Sequence, residues 1–203
     1  MKKTLIVLMM VLLAAMLMVS CDDNNKGGSE ALPTVSKAGD VITLGSRYSV
    51  EIKWVALSVD TTEKKALLIS QNVLENMAFS SSKNVKYSES NIHTYLTNLE
   101  EGGFIKNYGL STEYMLKVED LSAEGITEKD YVFLLSKDEA TTGYFENKTN
   151  RISGNSADWW VRSLDTSSST GKVALIDYTG DYCISEPEIT SKGLRPAFWY
   201  TWE

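Results

Sequence analysis

Six residues in the last third of the chain carry the side-chain types that recognition chemistry needs: Trp160, Arg162, Tyr178, Asp181, Tyr182 and Glu186. Trp160 and Arg162 stand two apart in the run Asp158-Trp159-Trp160-Val161-Arg162-Ser163. If that run is a strand, alternation places Trp160 and Arg162 on one face and Trp159 and Val161 on the other. An indole beside a guanidinium suits sugars, aromatic rings or carboxylates. The same pattern is met by a strand covered on both faces, with Arg162 stacked on a ring or paired with an acid inside. Asp177, Asp181, Glu186 and Glu188 fall within twelve positions and are hard oxygen donors of the kind that hold Ca²⁺. They lack the spacing of an EF-hand loop, so a solvated acidic loop is expected, with no metal or other cofactor. Tyr178 and Tyr182 flank that loop and would suit a binding surface.

Catalytic chemistry has less to draw on. The chain has one histidine, His93, and two cysteines, Cys21 and Cys183. Cys183 sits in an apolar triplet and reads as a small buried hydrophobe, with no basic neighbour in sequence to lower its pKa. Phosphate-binding, dinucleotide-binding, nucleophile-elbow and zinc-protease motifs are all missing. A formal charge of −7 argues against a nucleic-acid partner, which selects for a basic patch. With 43% hydrophobic and 10% aromatic residues, the 203-residue chain has the material for one cored domain.

Cys21 carries a different chemistry. Lys2 and Lys3 precede an unbroken apolar run from Leu5 to Val19, the layout of a secretory signal. The run ends in Met18-Val19-Ser20-Cys21, which resembles the bacterial lipobox with Met in place of the usual Leu. That resemblance implies cleavage before Cys21 and acylation of its thiol. Residues 1–20 are then the signal, 21–38 a polar tether, and 39–203 a single domain. Several acyl chains anchor a protein stably without its spanning the bilayer. Loss of two lysines takes the charge from −7 to −9, which keeps the domain off anionic lipid. The expected location is the bacterial cell envelope, outside the cytoplasm.

The elements that would position these residues read as α+β. Val41–Ser46, Val50–Ala56 and Ala66–Ser70 have strand character. A helix begins at Ser88 or Ser90 and gathers Ile92, Tyr95, Leu96 and Leu99 on one face before Gly102-Gly103. His93 lies just off that face. Tyr131–Ser136 reads as a buried strand, and Lys137–Phe145 as a short helix capped by Ser136 with Glu139 in reply. Four strand-like runs close the chain: Asp158–Ser163, Lys172–Tyr178, Tyr182–Ser185 and Leu194–Trp202, with a hairpin at Thr179-Gly180-Asp181. Pro196 in the last run implies an edge or a bulge, and Arg195 beside it is expected to hold loop carbonyls or a carboxylate.

Gly39-Asp40, Leu44-Gly45, Lys53-Trp54, Ala66–Ser70, Ser90-Asn91-Ile92, Phe133–Ser136, Trp159–Ser163 and Gly193-Leu194-Arg195-Pro196-Ala197 form an ordered set. The set resembles a domain-of-unknown-function family of secreted bacterial proteins across residues 39–202. Its ending is also similar to the C-type-lectin-like and formylglycine-generating-enzyme-like superfamily. That likeness implies a compact domain with short antiparallel strands, one main amphipathic helix and long C-terminal loops. The enzymes of that superfamily use a cysteine pair, and Cys183 stands alone after processing, so their activity does not carry over. Glu186-Pro187-Glu188 only faintly matches the lectins' calcium triplet, and no Trp-Asn-Asp follows it. The expected function is a lipid-anchored, non-catalytic module that binds or displays a glycan, peptide or envelope protein through the six residues named first. The alternatives are an accessory subunit of an envelope complex, or an enzyme acting on envelope polymers.

Overall fold

A computed structural model describes residues 31–118, 130–164 and 171–203. Strands β1 (Val41–Arg47), β2 (Val50–Asp60) and β3 (Lys65–Ser70) form an antiparallel meander. A two-residue strand, β4 (Glu75–Asn76), follows, and then helix α1 (Asn91–Thr97) and the single turn α2 (Phe104–Asn107). Strands β5 (Met115–Leu116) and β6 (Val132–Phe133) and a second single turn, α3 (Lys148–Arg151), lead to β7 (Trp159–Leu164). Strands β8 (Val173–Ile176), β9 (Tyr182–Ser185), β10 (Gly193–Leu194) and β11 (Ala197–Thr201) complete the chain.

The strands form two sheets. One has the order β1-β2-β3-β11-β5, with β6 also on β11; the other has the order β4-β10-β7-β8-β9. All pairings are antiparallel except β10 with β7. The result is a mixed α+β domain with a curled, half-barrel sheet and few helices.

Alternation explains which faces form the core. Phe198 and Tyr200 of β11 are fully buried and Trp199 opposes them, half-buried. Trp54 on β2 meets Phe198 edge-on at 4.7 Å and donates its Nε1–H to Leu44 O at 2.9 Å. Removing such a ring from water contributes about 4–6 kcal/mol before entropy is charged against it. The fold also reaches back before β1. Val35 is buried, and Tyr200 OH donates to Pro33 O at 2.8 Å, so residues from Leu32 onward pack as one unit.

Several elements differ from expectation. Ser90 caps α1 by accepting from His93 N–H, but the helix stops at Thr97 and leaves Leu99 43% exposed. His93 instead turns its Nε2 to the buried Asp130, 3.0 Å away. Only Val132–Phe133 of the expected strand at 131–136 has a ladder, although Leu134 and Leu135 are equally buried. Ser136 and Glu139 make both bonds of a capping box, yet turns follow rather than an α-helix. The last run is two strands, not one. It breaks at Arg195-Pro196, where the chain passes from the second sheet to the interior of the first. Pro196 thus marks a crossing between sheets rather than an edge strand.

Arg195 secures that crossing. It is buried, with Nε donating to Ser70 O at 2.9 Å and Nη1 to Arg151 O at 2.7 Å. Its guanidinium lies 4.9 Å from the Trp159 ring centre and 5.5 Å from that of Phe145. Burial pulls its pKa down to about 9, still above neutrality, so the cation persists. Charge-assisted bonds of this kind are worth about 1.5–3 kcal/mol each. Arg195→Ala is therefore expected to destabilise by about 3 kcal/mol or more, read as a lower urea midpoint at unchanged slope. Arg195→Lys should also destabilise, because one ammonium cannot reproduce the planar fork or the stacking. Wild-type stability in the lysine variant would show that charge alone suffices.

Candidate functional site

Strand β2 is eleven residues long, but its register with β3 begins only at Trp54↔Ser70. Gln71 still donates its N–H to Lys53 O at 2.8 Å; beyond it the two chains part. Asn155 clamps Val73 through both its N–H and its carbonyl, and Leu74 N–H bonds Leu194 O of the second sheet. This divergence opens a cleft of about 460 Å³ between Val50–Lys53 and Gln71–Leu74, with Arg47, Tyr48 and Tyr108 completing its wall.

The tip of the β1–β2 hairpin is the two-residue loop Tyr48-Ser49, with φ of 51° and 64°. Both central residues are left-handed, as a type I′ turn requires, but neither is the Asn or Gly that adopts this freely. An L-residue there costs about 1–2 kcal/mol. The turn nevertheless holds the Tyr48 ring out at 87% exposure, with the Arg47 guanidinium 5.2 Å from its centre. Strain kept together with an exposed ring is a pattern found at ligand clamps.

Beneath the tip lies a part-buried polar knot. Arg47 Nη1 donates to Glu75 Oε2 at 2.9 Å and to Tyr108 OH at 2.6 Å. The bond to Glu75 holds the Arg47 pKa above its ordinary value. Burial, with the Glu75 charge, pushes the Tyr108 phenol up to about 12, and burial raises Tyr95 likewise. Asn107 Nδ2 donates to Tyr95 OH at 3.2 Å. Glu75 Oε1 is buried without a hydrogen-bond partner. Around this knot, the Tyr48 hydroxyl and the side chains of Glu51, Lys53, Gln71 and Asn72 form no hydrogen bond or ion pair among the described residues. The cleft is therefore lined by largely exposed polar side chains with no internal partner and by the buried Ile52 and Val73.

The six residues singled out from sequence are arranged otherwise. Trp160 and Arg162 are both buried, because β7 is an interior strand covered on both faces. Trp160 donates its Nε1–H to Met77 O at 2.9 Å. Arg162 Nη1 donates to Leu134 O at 2.7 Å and Glu139 Oε2 at 2.6 Å. Neither is displayed. Tyr178 is 61% exposed at the β8–β9 turn. Asp181 shares that turn and is ion-paired to Lys148 at 2.7 Å, which holds its carboxyl below the usual range. The Tyr182 ring lies under Lys137 Nζ at 4.2 Å. Glu186 follows the far end of β9 and pairs with Lys83 at 2.8 Å and Lys172 at 3.9 Å. Four residues of strand rise separate it from Tyr182, about 13 Å. These acids face lysines rather than one another, and no three potential metal ligands converge among the described residues. Cys183 lies 3.7 Å from Asp177, and burial, with that charge, pushes its thiol up, away from a reactive thiolate. Cys21 lies outside the described residues.

Sequence reading missed the cleft because its walls come from three distant stretches. One local signal was present: a tyrosine in a two-residue turn between strands, where the turn type favours Asn or Gly.

The Tyr108 phenol gives a pH signature. Its folded pKa of about 12 stands above the ordinary 10.0, so the stability it supports is complete below pH 10 and is lost as pH rises towards 12. Urea midpoints should fall between pH 10 and 12, and Tyr108→Phe should remove part of that fall, the rest belonging to Tyr95, Tyr114 and Tyr200, whose phenols are raised by burial as well. An unaltered slope in the variant would remove Tyr108 as a cause.

Comparison with known proteins adds the family and nothing beyond it. No curated protein and no solved structure matches the chain. Residues 63–202 match a family described as a domain of unknown function, and they carry Gln71–Leu74, Tyr108, Arg162 and Arg195. The chain belongs to the DUF6273 family.

Proposed function

We propose that this protein is a lipid-anchored, extracytoplasmic, non-catalytic binding module whose ligand enters the cleft beside the β1–β2 hairpin. The observation that carries the reading is the convergence of side chains without internal partners on that cleft, beneath a ring held out by a strained turn. Tyr48, Glu51, Lys53 and Asn72 are exposed and Gln71 half-buried, so water satisfies them in the free protein and a ligand can take over those bonds without breaking any internal one. A wall of such groups above apolar Ile52 and Val73 has the make-up of a recognition site. The C-terminal loops supply the weaker surface, since their acids are already matched by lysines. The anchor rests on Lys2-Lys3, the Leu5–Val19 run and Met18-Val19-Ser20-Cys21.

Two measurements test this. Metabolic labelling with an alkyne palmitate should tag the chain in a bacterial host, and Cys21→Ser should abolish the tag. A wild-type chain without label would overturn the anchor. Amide NMR of the full chain, titrated with blocked pentapeptides and neutral oligosaccharides, should show shifts at residues 47–53 and 71–74. Tyr48→Ala should weaken that binding about tenfold. Shifts confined to Tyr178–Glu186 would move the site back to the C-terminal turn.

A further inference from the structure

We infer that the cleft takes an extended peptide segment, added as a strand to the open edge of β2; this rests on the reading of the cleft as a binding site. The inference begins with backbone groups. Ser46 and Glu51 are opposite one another in the β1–β2 ladder, but Ser46 donates its N–H to Tyr108 O at 2.9 Å, away from β2. The pair is therefore of the non-hydrogen-bonded kind, and the Glu51 N–H and C=O point to the other side. Two residues on, Lys53 O faces that same side, where it accepts Gln71 N–H. Strand β3 has left by then, so the Glu51 donor and acceptor open onto the cleft.

An unpaired strand edge is a template for another strand. The stretch Val50–Ile52 lies beyond the β3 register and offers about 10 Å at the usual strand rise. A segment continuing the line of β3 would run antiparallel to β2, with its N-terminal end against Gln71 and Asn72. Its central residue would exchange both main-chain bonds with Glu51. Opposite residues share a face, so that central side chain lies with Glu51 and Lys53 and suits a polar group. The two flanking side chains lie on the Ile52 face, near Val73, and suit aliphatic groups. The ligand pattern is apolar–polar–apolar. Sugar hydroxyls could meet the side chains of the cleft, but a donor–acceptor pair set by strand geometry is matched by a main chain.

The test places the full chain in a non-sugar detergent and titrates it with acetyl-Gly-Val-Thr-Val-Gly-amide. Two N-methylated forms of the same peptide accompany it, one at threonine and one at the first valine. The threonine N–H would bond Glu51 O, whereas the valine N–H points away from β2. Methylation at threonine should weaken binding at least tenfold, and methylation at valine less than threefold. Glu51→Pro, which deletes the cleft-facing donor but no bond to β1, should also weaken it tenfold, with circular dichroism showing whether the fold persists. Equal losses from the two methylations, or none from either, overturn strand addition. So does saturation of the cleft by chitotetraose without any peptide response, an outcome that leaves the binding site standing. Silence of residues 47–53 and 71–74 to every probe removes both readings.

Discussion

The buried Arg195 guanidinium is the fixed point of this molecule. No carboxylate among the described residues neutralises it; carbonyls and aromatic faces do that work. It stands where the chain leaves one sheet for the other, and it bonds the last carbonyl of β3 and the last carbonyl of α3. Trp159, over which it lies, donates its own Nε1–H to the same Arg151 carbonyl at 3.1 Å. Two sheets and a helical turn are thus referred to one cation. Gly193 serves the same crossing: a Cβ there would overlap Val73 Cγ1 and crowd Asp158 O. The Gly-x-Arg-Pro-Ala run is a device for passing between sheets.

That device also determines where the cleft lies. Arg195 takes the Ser70 carbonyl, and Ser70 N–H goes to Pro196 O, so the end of β3 is tied through both its main-chain groups to the Arg195-Pro196 crossing. Ser70 Oγ then bonds Asn72 O and turns the chain towards the second sheet. Strand β2 has no such tie and extends past that point to Val50 at the hairpin turn. The gap between a strand that is stopped and a strand that continues is the cleft itself. Its position follows from the core, and its chemistry from the side chains that happen to line the parted strands.

The sequence made the strands legible where one face is buried. Alternation located β2 and the buried face of β11, and Thr179-Gly180-Asp181 announced the β8–β9 hairpin, whose Gly180 has φ of 83°. It also marked Arg195 as a holder of loop carbonyls or a carboxylate, and carbonyls are what it holds. It failed where burial is complete on both faces, as in β7, because alternation says nothing about which face is displayed when neither is. Arg162 stood among the candidate ligand contacts, and the other reading, an arginine paired with an acid inside a covered strand, is the one that Glu139 fulfils. The helix at 91–97 ran short for a related reason. Leu99 continues the apolar period, but Asn98 bonds the Glu100 N–H through its own side chain and takes an extended backbone. The cleft was illegible because an unpartnered group is defined by its surroundings. Nothing in Gln71 or Asn72 as letters says that neighbours will leave them alone.

The cleft straddles the boundary of the family match: Gln71–Leu74 and Tyr108 lie within it and the hairpin wall lies before it. Residues 63–202, which match the family, contain the Arg195 crossing and the β3 terminus, whereas Tyr48, Glu51 and Lys53 belong to a hairpin that precedes them. Those three side chains form no hydrogen bonds or ion pairs among the described residues, so changing them subtracts little from the fold. Arg195, Trp159 and Gly193 have no such freedom, since each is tied to more than one element. Substitutions in the hairpin wall therefore leave the Arg195 crossing and its bonds untouched. The strained Tyr48-Ser49 turn lies on the side of that division with fewer internal ties, where strain costs the frame least.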